Sequence, residues 1–581
     1  MISLPSNGRL RWAVVAVALL TVIGLVVAGV LWASPGPDEL EKPSTTFVEV
    51  SEERGFVYGA NNYQQGGNSR AGVYVTDYTN NGYPDILATG GDNVVLFENT
   101  GGEYEPSGAL PEINATISSA LAFDKHGDGW EDIMLFPRRG SPIFLENNEG
   151  TFERKDVGLD ELQLAVPVAA SAADFNHNGC LDVFVAQNGN WRLDIPEKEL
   201  LAQEEEGFTR ITDPEVAADR RESANHDALE NVPPPSTWAP HEDNGNPNYL
   251  LVGDCEAGTF TDATEDVGID GTRWSMATSF YDFTGNGYPD IHEANDFNYD
   301  FLWVNQGNES FERQLIPDTN RHAMSSETAD FTGNGQPDIF VTNIKTEDGA
   351  AKRGLVMIDN SGNNLLVNDH GTFTSLEDEF GVRDGGWGWA AASVDFTNNG
   401  QFDLVHTTLH GGDSSRLELT HPRVWERNGD TFEVADPEAH GFEPMSGRGI
   451  AVLDYNRNGQ QDLVVSSLDG DFRLYENQGN TNNWLQLSVR DSEGAYALGS
   501  KVTVQFDDGN TDRTHHLFTK SRTDLLAQNT RVHHVGLSEA ERVTMKIRYP
   551  DGKTQVFDSI HVNQRIAVYP DGTIEPEPAG G

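Results

Sequence analysis

The stretch DFTGNGYPDI, Asp282 to Ile291, puts Asp first, Thr third, Asn fifth, Gly sixth and a second Asp ninth, then runs into an aliphatic segment. The same spacing starts at Asp77, Asp124, Asp174, Asp330, Asp395 and Asp454, where the chain reads DYTNNGYPDI, DKHGDGWEDI, DFNHNGCLDV, DFTGNGQPDI, DFTNNGQFDL and DYNRNGQQDL. Successive copies lie 47, 50, 108, 48, 65 and 59 residues apart. Four short strands and their turns occupy about 40–50 residues, the length of one blade of a β-propeller. The repeat therefore predicts an all-β fold, a seven-bladed β-propeller.

Each copy carries the rest of a blade. A small-residue strand such as AGVYVTD precedes the loop, an aliphatic strand such as DILATG follows it, and a third strand ends near Asn. The outer strand carries a Thr-Phe or similar pair, as in GTFERKDVG and GTFTDATEDVG. The seventh blade lacks that outer strand, and an orphan copy, TTFVEVSEERGF, stands at Thr45 to Phe56 ahead of the first blade. Pairing the orphan into the seventh blade closes the ring, over residues 45–480, and removes exposed sheet edges. The long interval of 108 residues contains a polar, acidic, Pro-rich insertion at 191–247 rather than an eighth blade. From Trp484 to Gly572 the strands alternate without the Asp loop, which reads as a separate small all-β domain, with a tail at 573–581.

The loop has the donors of a calcium site. Calcium takes six to eight oxygens at about 2.3–2.6 Å from carboxylates, amides and carbonyls. The candidate ligands at positions 1, 3, 5 and 9 are Asp77, Thr79, Asn81 and Asp85; Asp124, Asp128 and Asp132; Asp174, Asn176, Asn178 and Asp182; Asp282, Thr284, Asn286 and Asp290; Asp330, Thr332, Asn334 and Asp338; Asp395, Thr397, Asn399 and Asp403; and Asp454, Asn456, Asn458 and Asp462. His126 takes position 3 of the second loop and is a poor calcium ligand. Most loops carry two formal charges, so weak structural sites are expected. Asx turns without an ion are the other reading of such sequences.

This pattern resembles the FG-GAP/VCBS repeat, and NNWLQL, ALGSKVTV, VTMKIRYPDGKTQVF and NQRIAVY resemble the ASPIC/UnbV domain. The combination resembles the cartilage acidic protein 1 family. What the resemblance implies is a propeller with calcium-loop blades and a C-terminal β domain. Position 3 departs from the usual Asp by carrying Thr or Asn in most copies.

The chain has 92 acidic and 39 basic residues, a formal net charge of -53. That charge excludes a nucleic-acid partner, which needs clustered Lys and Arg. An acidic chain rich in aromatics and poor in Lys suits the high salt of a halophile, where the Debye length falls to about 3 Å at 1 M. Residues 1–34 hold an uncharged run, Trp12 to Ala33, that is long enough to span a bilayer, preceded by Arg9 and Arg11 and followed by acids. It predicts one N-terminal transmembrane helix in the cell membrane, a polar stalk at 35–44 and an extracellular remainder. A cleaved signal and a secreted chain is the other reading. Cys180 in the third loop and Cys255 in the following hairpin fall on one face of one blade, so a disulfide is expected in that oxidising compartment; two independent small residues is the other reading.

Strand alternation puts the Asp loops on one face of the ring. The insertions at 191–247, 343–362 and 410–422 fall on the other, as do Arg273, Trp274, Arg321, His322, Trp387, Trp389 and Arg448. Aromatics with Arg there suit a protein or glycan ligand, and plugging the channel is the other use of such Trp residues. No G-x-S-x-G, P-loop, Rossmann or H-E-x-x-H motif is present. A binding or adhesion module is the function expected, with a polysaccharide lyase or hydrolase on the same face as the alternative.

Overall fold

The segments that follow the seven loops, among them Asp85–Gly90, Asp132–Pro137 and Asp462–Ser467, are buried along their whole length, except that Thr408 at the end of Asp403–Thr408 is half-buried. Uninterrupted apolar and small residues suit a strand covered on both faces, as in stacked sheets. The structure is a computed structural model. It describes residues 46–577 apart from 62–70, 91–92, 190–244, 297, 318, 320–321, 346–361, 409, 412–416, 419, 480–481 and 508–511. The run Trp12 to Ala33, the stalk, Arg321 and most of the 191–247 insertion lie outside the described residues. No helix among the described residues is long and apolar enough to cross a membrane.

Among the described residues, seven antiparallel sheets repeat one order of four strands. The first is Gly72–Thr76, Asp85–Gly90, Asn93–Asn99 and Tyr104–Pro106. The inner strands of the others are Ile117–Phe123, Pro167–Ala173, Thr272–Tyr281, Ala323–Ala329, Gly388–Val394 and Gly447–Leu453. Each inner strand packs against the next, and Gly447–Leu453 packs against Gly72–Thr76, a propeller-like circuit.

Register shows how the seventh sheet obtains its outer strand. In six sheets an outer-strand aromatic faces the end of the third strand: Tyr104 opposite Asn99, Phe152 opposite Asn147, Phe260 opposite Gly253, Phe311 opposite Asn305, Phe373 opposite Asn368 and Phe432 opposite Arg427. In the seventh, Phe47 of Phe47–Glu49 faces Asn477. Phe47 is 1% exposed, and its ring packs on Phe442 and Phe396 with centroids 5.0 Å and 5.3 Å away. The last residues of the insertion also pair: Asn246–Pro247 forms a short ladder with Arg273 and Thr272 of the fourth sheet, which the sequence reading did not foresee.

The C-terminal strands form two four-stranded sheets around one core that includes Leu485, Leu487, Val502, Val504, Met545 and Ile566. The expectation of a separate domain is modified here. Residues Thr45–Gly581 are one compact unit. Ser521–Arg522 adds to the third sheet's inner strand, and Ala527–Gln528 adds in parallel to the first sheet's. Between them, Leu525 and Leu526 are buried in a core cluster with Val168, Met276, Met324, Trp389 and Ile450, drawn from five different inner strands. The segment plugs the channel from the side of the Asp loops.

Candidate metal centres

All seven loops close in the same way. The sixth-position Gly donates its N–H to the first Asp in each, from Gly82 to Asp77 through Gly459 to Asp454, at 2.7 to 3.0 Å. The fifth residue accepts the N–H of the seventh at 2.7 to 2.9 Å, as Asn81 does from Tyr83 and Asp128 from Trp130. The ninth Asp accepts the N–H at the end of the third strand at 2.7 to 2.9 Å, as Asp85 does from Asn99 and Asp403 from Arg427. The loop thus ties three strands of a sheet through two carboxylates. Positive φ at the sixth Gly, 82° at Gly82 and 95° at Gly287, is a conformation that a side chain would strain.

Those carboxylates are poorly hydrated. Burial pushes Asp77 and Asp124 up to about 6, Asp290, Asp338 and Asp395 up to about 7, and Asp182 up to about 8. Asp85, Asp403 and Asp462 are raised further by the same cause, and Asp132, Asp174, Asp282, Asp330 and Asp454 are raised as well. Two buried carboxylates at close quarters demand a cation or a proton. The donors fit a calcium ion in two loops in particular. Oδ1 of Asp77, Oδ1 of Asp282 and Oγ1 of Thr284 are buried with no hydrogen-bond partner, and they are first- and third-position atoms. No cluster of three or more His, Cys, Asp or Glu groups arranged for a metal is present among the described residues. Six loops set Asn or Thr side chains beside two Asp, whereas the second has Asp128 as a third Asp and its His126 bonds Asp132 at 3.1 Å.

Three features escaped the sequence reading. The Asn that ends the third strand reaches into the neighbouring sheet's loop: Nδ2 of Asn147 donates to the Tyr78 carbonyl, Asn305 to Phe175 and Asn368 to Phe283, each at 2.9 Å, and Asn477 to Phe396 at 3.0 Å. The C-terminal domain covers the loop face: Arg565 donates to the Gly82 carbonyl at 2.9 Å, Gln486 to Asp454 at 2.8 Å, and Lys501 to the Gly335 carbonyl. Arg531 pairs with buried Glu131, whose other oxygen accepts from Thr76 at 2.6 Å. Cys180 and Cys255 form a disulfide with Cα atoms 5.6 Å apart.

On the opposite face most of the described members of that set are buried. Arg273 is 4% exposed, with its guanidinium stacked 4.9 Å from the Phe301 ring centre and 5.5 Å from that of Trp303. Trp274 is buried against Gly189, and His322 is buried and bonds Asp296 at 3.0 Å. Arg448 is fully buried 3.8 Å over the Trp389 ring, and burial pushes its guanidinium down to about 9. A planar guanidinium sheds water at low cost against an aromatic face, which explains these pairings. Of the described members of the set, Trp387 alone keeps partial exposure.

Comparisons follow the same division of the chain. The family described as FG-GAP-like repeat matches residues 282–341, and the family described as ASPIC and UnbV matches residues 491–574. Cartilage acidic protein 1 of Homo sapiens is 27% identical over 166 residues, 28% of this chain and 24% of that protein. The Xenopus tropicalis protein of that name is 27% identical over 174 residues, 28% and 25%. The chain thus spans about a quarter of the length of the curated relatives it matches. Among solved structures, an Agrocybe aegerita lectin that recognises non-reducing terminal N-acetylglucosamine aligns at TM-score 0.39 and 18% identity, over 70% of this chain and 93% of that one. The BP39L lectin of Burkholderia pseudomallei aligns at 0.41 and 11%, over 70% and 96%. The chain joins FG-GAP-like repeats to an ASPIC/UnbV domain, the combination that its loops and C-terminal strands resemble in sequence.

Proposed function

We propose that the seven sheets are the blades of a closed seven-bladed propeller, that their loops hold calcium, and that the protein is a binding module displayed outside a halophile cell. The buried carboxylate pairs carry this reading, together with the buried oxygens of Asp77 and Asp282 that have no hydrogen-bond partner. Bound calcium would supply charge neutralisation and join the first and second strands of a blade. The Asp and Asn side chains would hold it, and the Gly N–H groups hold the Asp side chains. Binding to the folded state alone raises stability by RT ln(1 + [L]/Kd) per site. The test is thermal melting in high salt with calcium and with chelator. A higher midpoint in calcium is expected, and equal midpoints leave Asx turns without an ion.

The ligand would be a protein or glycan met on the face opposite the loops. The C-terminal domain's cover of the loop face supports that choice. A carbohydrate-active enzyme on that face needs a His and a carboxylate open to substrate. His322 and Asp296 are both buried and bond each other, which favours binding over catalysis. The apolar run Trp12 to Ala33 would anchor the chain or direct its export. Replacing residues 191–244 by a short Gly-Ser turn, which keeps the Asn246–Pro247 ladder, should leave melting cooperative and weaken capture of cell-surface glycans. Loss of folding would mean that the segment belongs to the core.

A further inference from the structure

Six of the seven Asp loops carry Asn-Gly at their fifth and sixth positions, at Asn81, Asn178, Asn286, Asn334, Asn399 and Asn458. Gly has no Cβ to shield its nitrogen, so an Asn before Gly is open to attack of that nitrogen on its own side-chain amide. In the third loop the Gly179 N–H donates to Oδ2 of Asp174 at 2.9 Å, which sets a carboxylate on the attacking nitrogen. The side-chain oxygen of Asn178 accepts the Cys180 N–H at 2.8 Å, which polarises the carbon under attack. The other five loops share both bonds, so the difference between loops lies in what restrains each pair. In three, the amide nitrogen that must leave is tied to the end of the third strand. Nδ2 of Asn81 donates to the Asn99 carbonyl at 3.0 Å, that of Asn286 to Asn305 at 2.8 Å and that of Asn334 to Asn368 at 3.0 Å. In two others the C-terminal domain covers the Gly. A Cβ on Gly400 would lie 2.9 Å from the Gly536 carbonyl oxygen, and one on Gly459 would lie 1.8 Å from the Trp484 ring. The third loop has neither restraint. Among the described residues Nδ2 of Asn178 has no acceptor. Asn178 and Gly179 are both exposed, and a Cβ on Gly179 would meet nothing within 4 Å.

We propose that Asn178 is a site of self-modification, the first of the six loop residues to deamidate. The nitrogen of Gly179 gives up its proton and bonds to Cγ of Asn178. The Cγ–Nδ2 bond breaks, and Nδ2 takes that proton and leaves as ammonia, so that a five-membered imide remains. Water then opens the imide. Cleavage at Cγ gives aspartate in an ordinary chain, and cleavage at the backbone carbonyl gives isoaspartate, linked through the side chain. The net change consumes one water and releases one ammonia, and it needs no metal ion. Aspartate at position 178 gives the third loop the carboxylate set that the second already has in Asp124, Asp128 and Asp132. Isoaspartate adds a carbon to the backbone and disturbs the Gly179 and Cys180 bonds that shape the turn. The anchored and covered loops are spared because their Asn must first break a bond or lift the C-terminal domain to react.

The test incubates the full folded chain in high salt with chelator at mildly alkaline pH and follows each loop peptide by mass spectrometry, which registers the exchange of amide for acid. Asn178 should convert roughly fivefold faster than Asn81, Asn286 and Asn334, the factor that breaking one neutral hydrogen bond beforehand imposes on a rate. It should also outpace Asn399 and Asn458. In denaturant the six should convert at similar rates, since the restraints are gone and the Asn-Gly pair is common to all. Trp484→Ala should uncover Gly459 and speed Asn458 while leaving Asn178 unchanged. Folded wild-type protein that converts the six at one rate, converts an anchored or covered Asn first, or protects all six while the denatured chain reacts overturns the assignment.

Discussion

Nδ2 of Asn99, in the first sheet, donates to the backbone carbonyl of Tyr455, in the seventh, at 2.9 Å. This is the ring's own seam, and the same Asn also donates to the Pro84 carbonyl and accepts the Gly102 N–H at 2.7 Å. Asn99→Ala strips three buried partners at once and should cost about 2–4 kcal/mol, since each orphaned buried group costs about 1–3 kcal/mol and neighbouring losses are not additive. Denaturant melting of this variant beside Asn428→Ala, at an exposed hairpin position, checks it. The second should stay within about 0.5 kcal/mol of wild type.

Phe47 should matter far more than its neighbour Val48. Phe47 is buried on two aromatic rings, whereas Val48 is 43% exposed. Phe47→Ala should destabilise by about 3–5 kcal/mol, and Val48→Ala by less than about 0.5 kcal/mol. Equal effects in a denaturant series would mean that the outer strand of the seventh sheet does not hold the ring.

The plug predicts cooperativity between ring and C-terminal domain. Leu525 is 1% exposed in the channel core. Wild-type protein should show one calorimetric transition. Leu525→Ala should cost about 2–5 kcal/mol and begin to separate the two parts into successive transitions. Two transitions already present in the wild type would refute the coupling.

His406 gives a pH dependence of definite sign. Its ring is fully buried, and burial pushes it down to about 4 from an ordinary value near 6.5. Between those values the unfolded chain binds a proton that the folded chain refuses, so stability falls as pH drops from about 6.5 to about 4. The single residue contributes up to about 3 kcal/mol over that window. Loop carboxylates with raised values act in the opposite direction in metal-free protein, so the comparison is between wild type and His406→Gln. The variant should lose that part of the acid sensitivity, and parallel stability–pH curves would count against it.

Reduction offers a further check. The disulfide closes a sequence separation of 75 residues, and opening it should lower stability by about 2–4 kcal/mol. Melting with and without reductant, alongside Cys255→Ser, reads the difference. An unchanged midpoint would remove the bridge from the stabilising set.

The loops were legible because their chemistry is local. Asp282, Asn286, Gly287 and Asp290 lie within nine positions, and one turn geometry needs all of them. The orphan strand at Phe47 was legible because its Thr-Phe pair recurs in four outer strands, with Glu103-Tyr104 and Ser310-Phe311 as similar pairs in the other two. The bonds of Asn147 or Asn305 to the next sheet were not, since an Asn at a strand end looks the same whether it caps a turn or crosses to a neighbour. The docking of Gln486 and Arg565 onto the loops joins residues far apart in sequence, and strand periodicity carries no record of what a face meets. Arg273 and Trp389 allowed two readings for a related reason. Arg and Trp together suit a ligand site, but a guanidinium laid on a ring satisfies both groups inside the protein just as well.

The pairing of Phe47 with Asn477 sets an order of events in the making of the molecule. The strand that finishes the ring leaves the ribosome ahead of every sheet, yet its partner emerges only after all seven loops have been synthesised. Until then the nascent chain has an unpaired strand at its start and an open sheet edge at its growing end. Contacts of such long range slow folding, and open edges invite association between chains. The seventh sheet therefore cannot gain its outer strand until Arg473–Asn477 has been made. A polypeptide truncated before Arg473 keeps six of the seven four-stranded sheets and has nothing for Phe47–Glu49 to pair with.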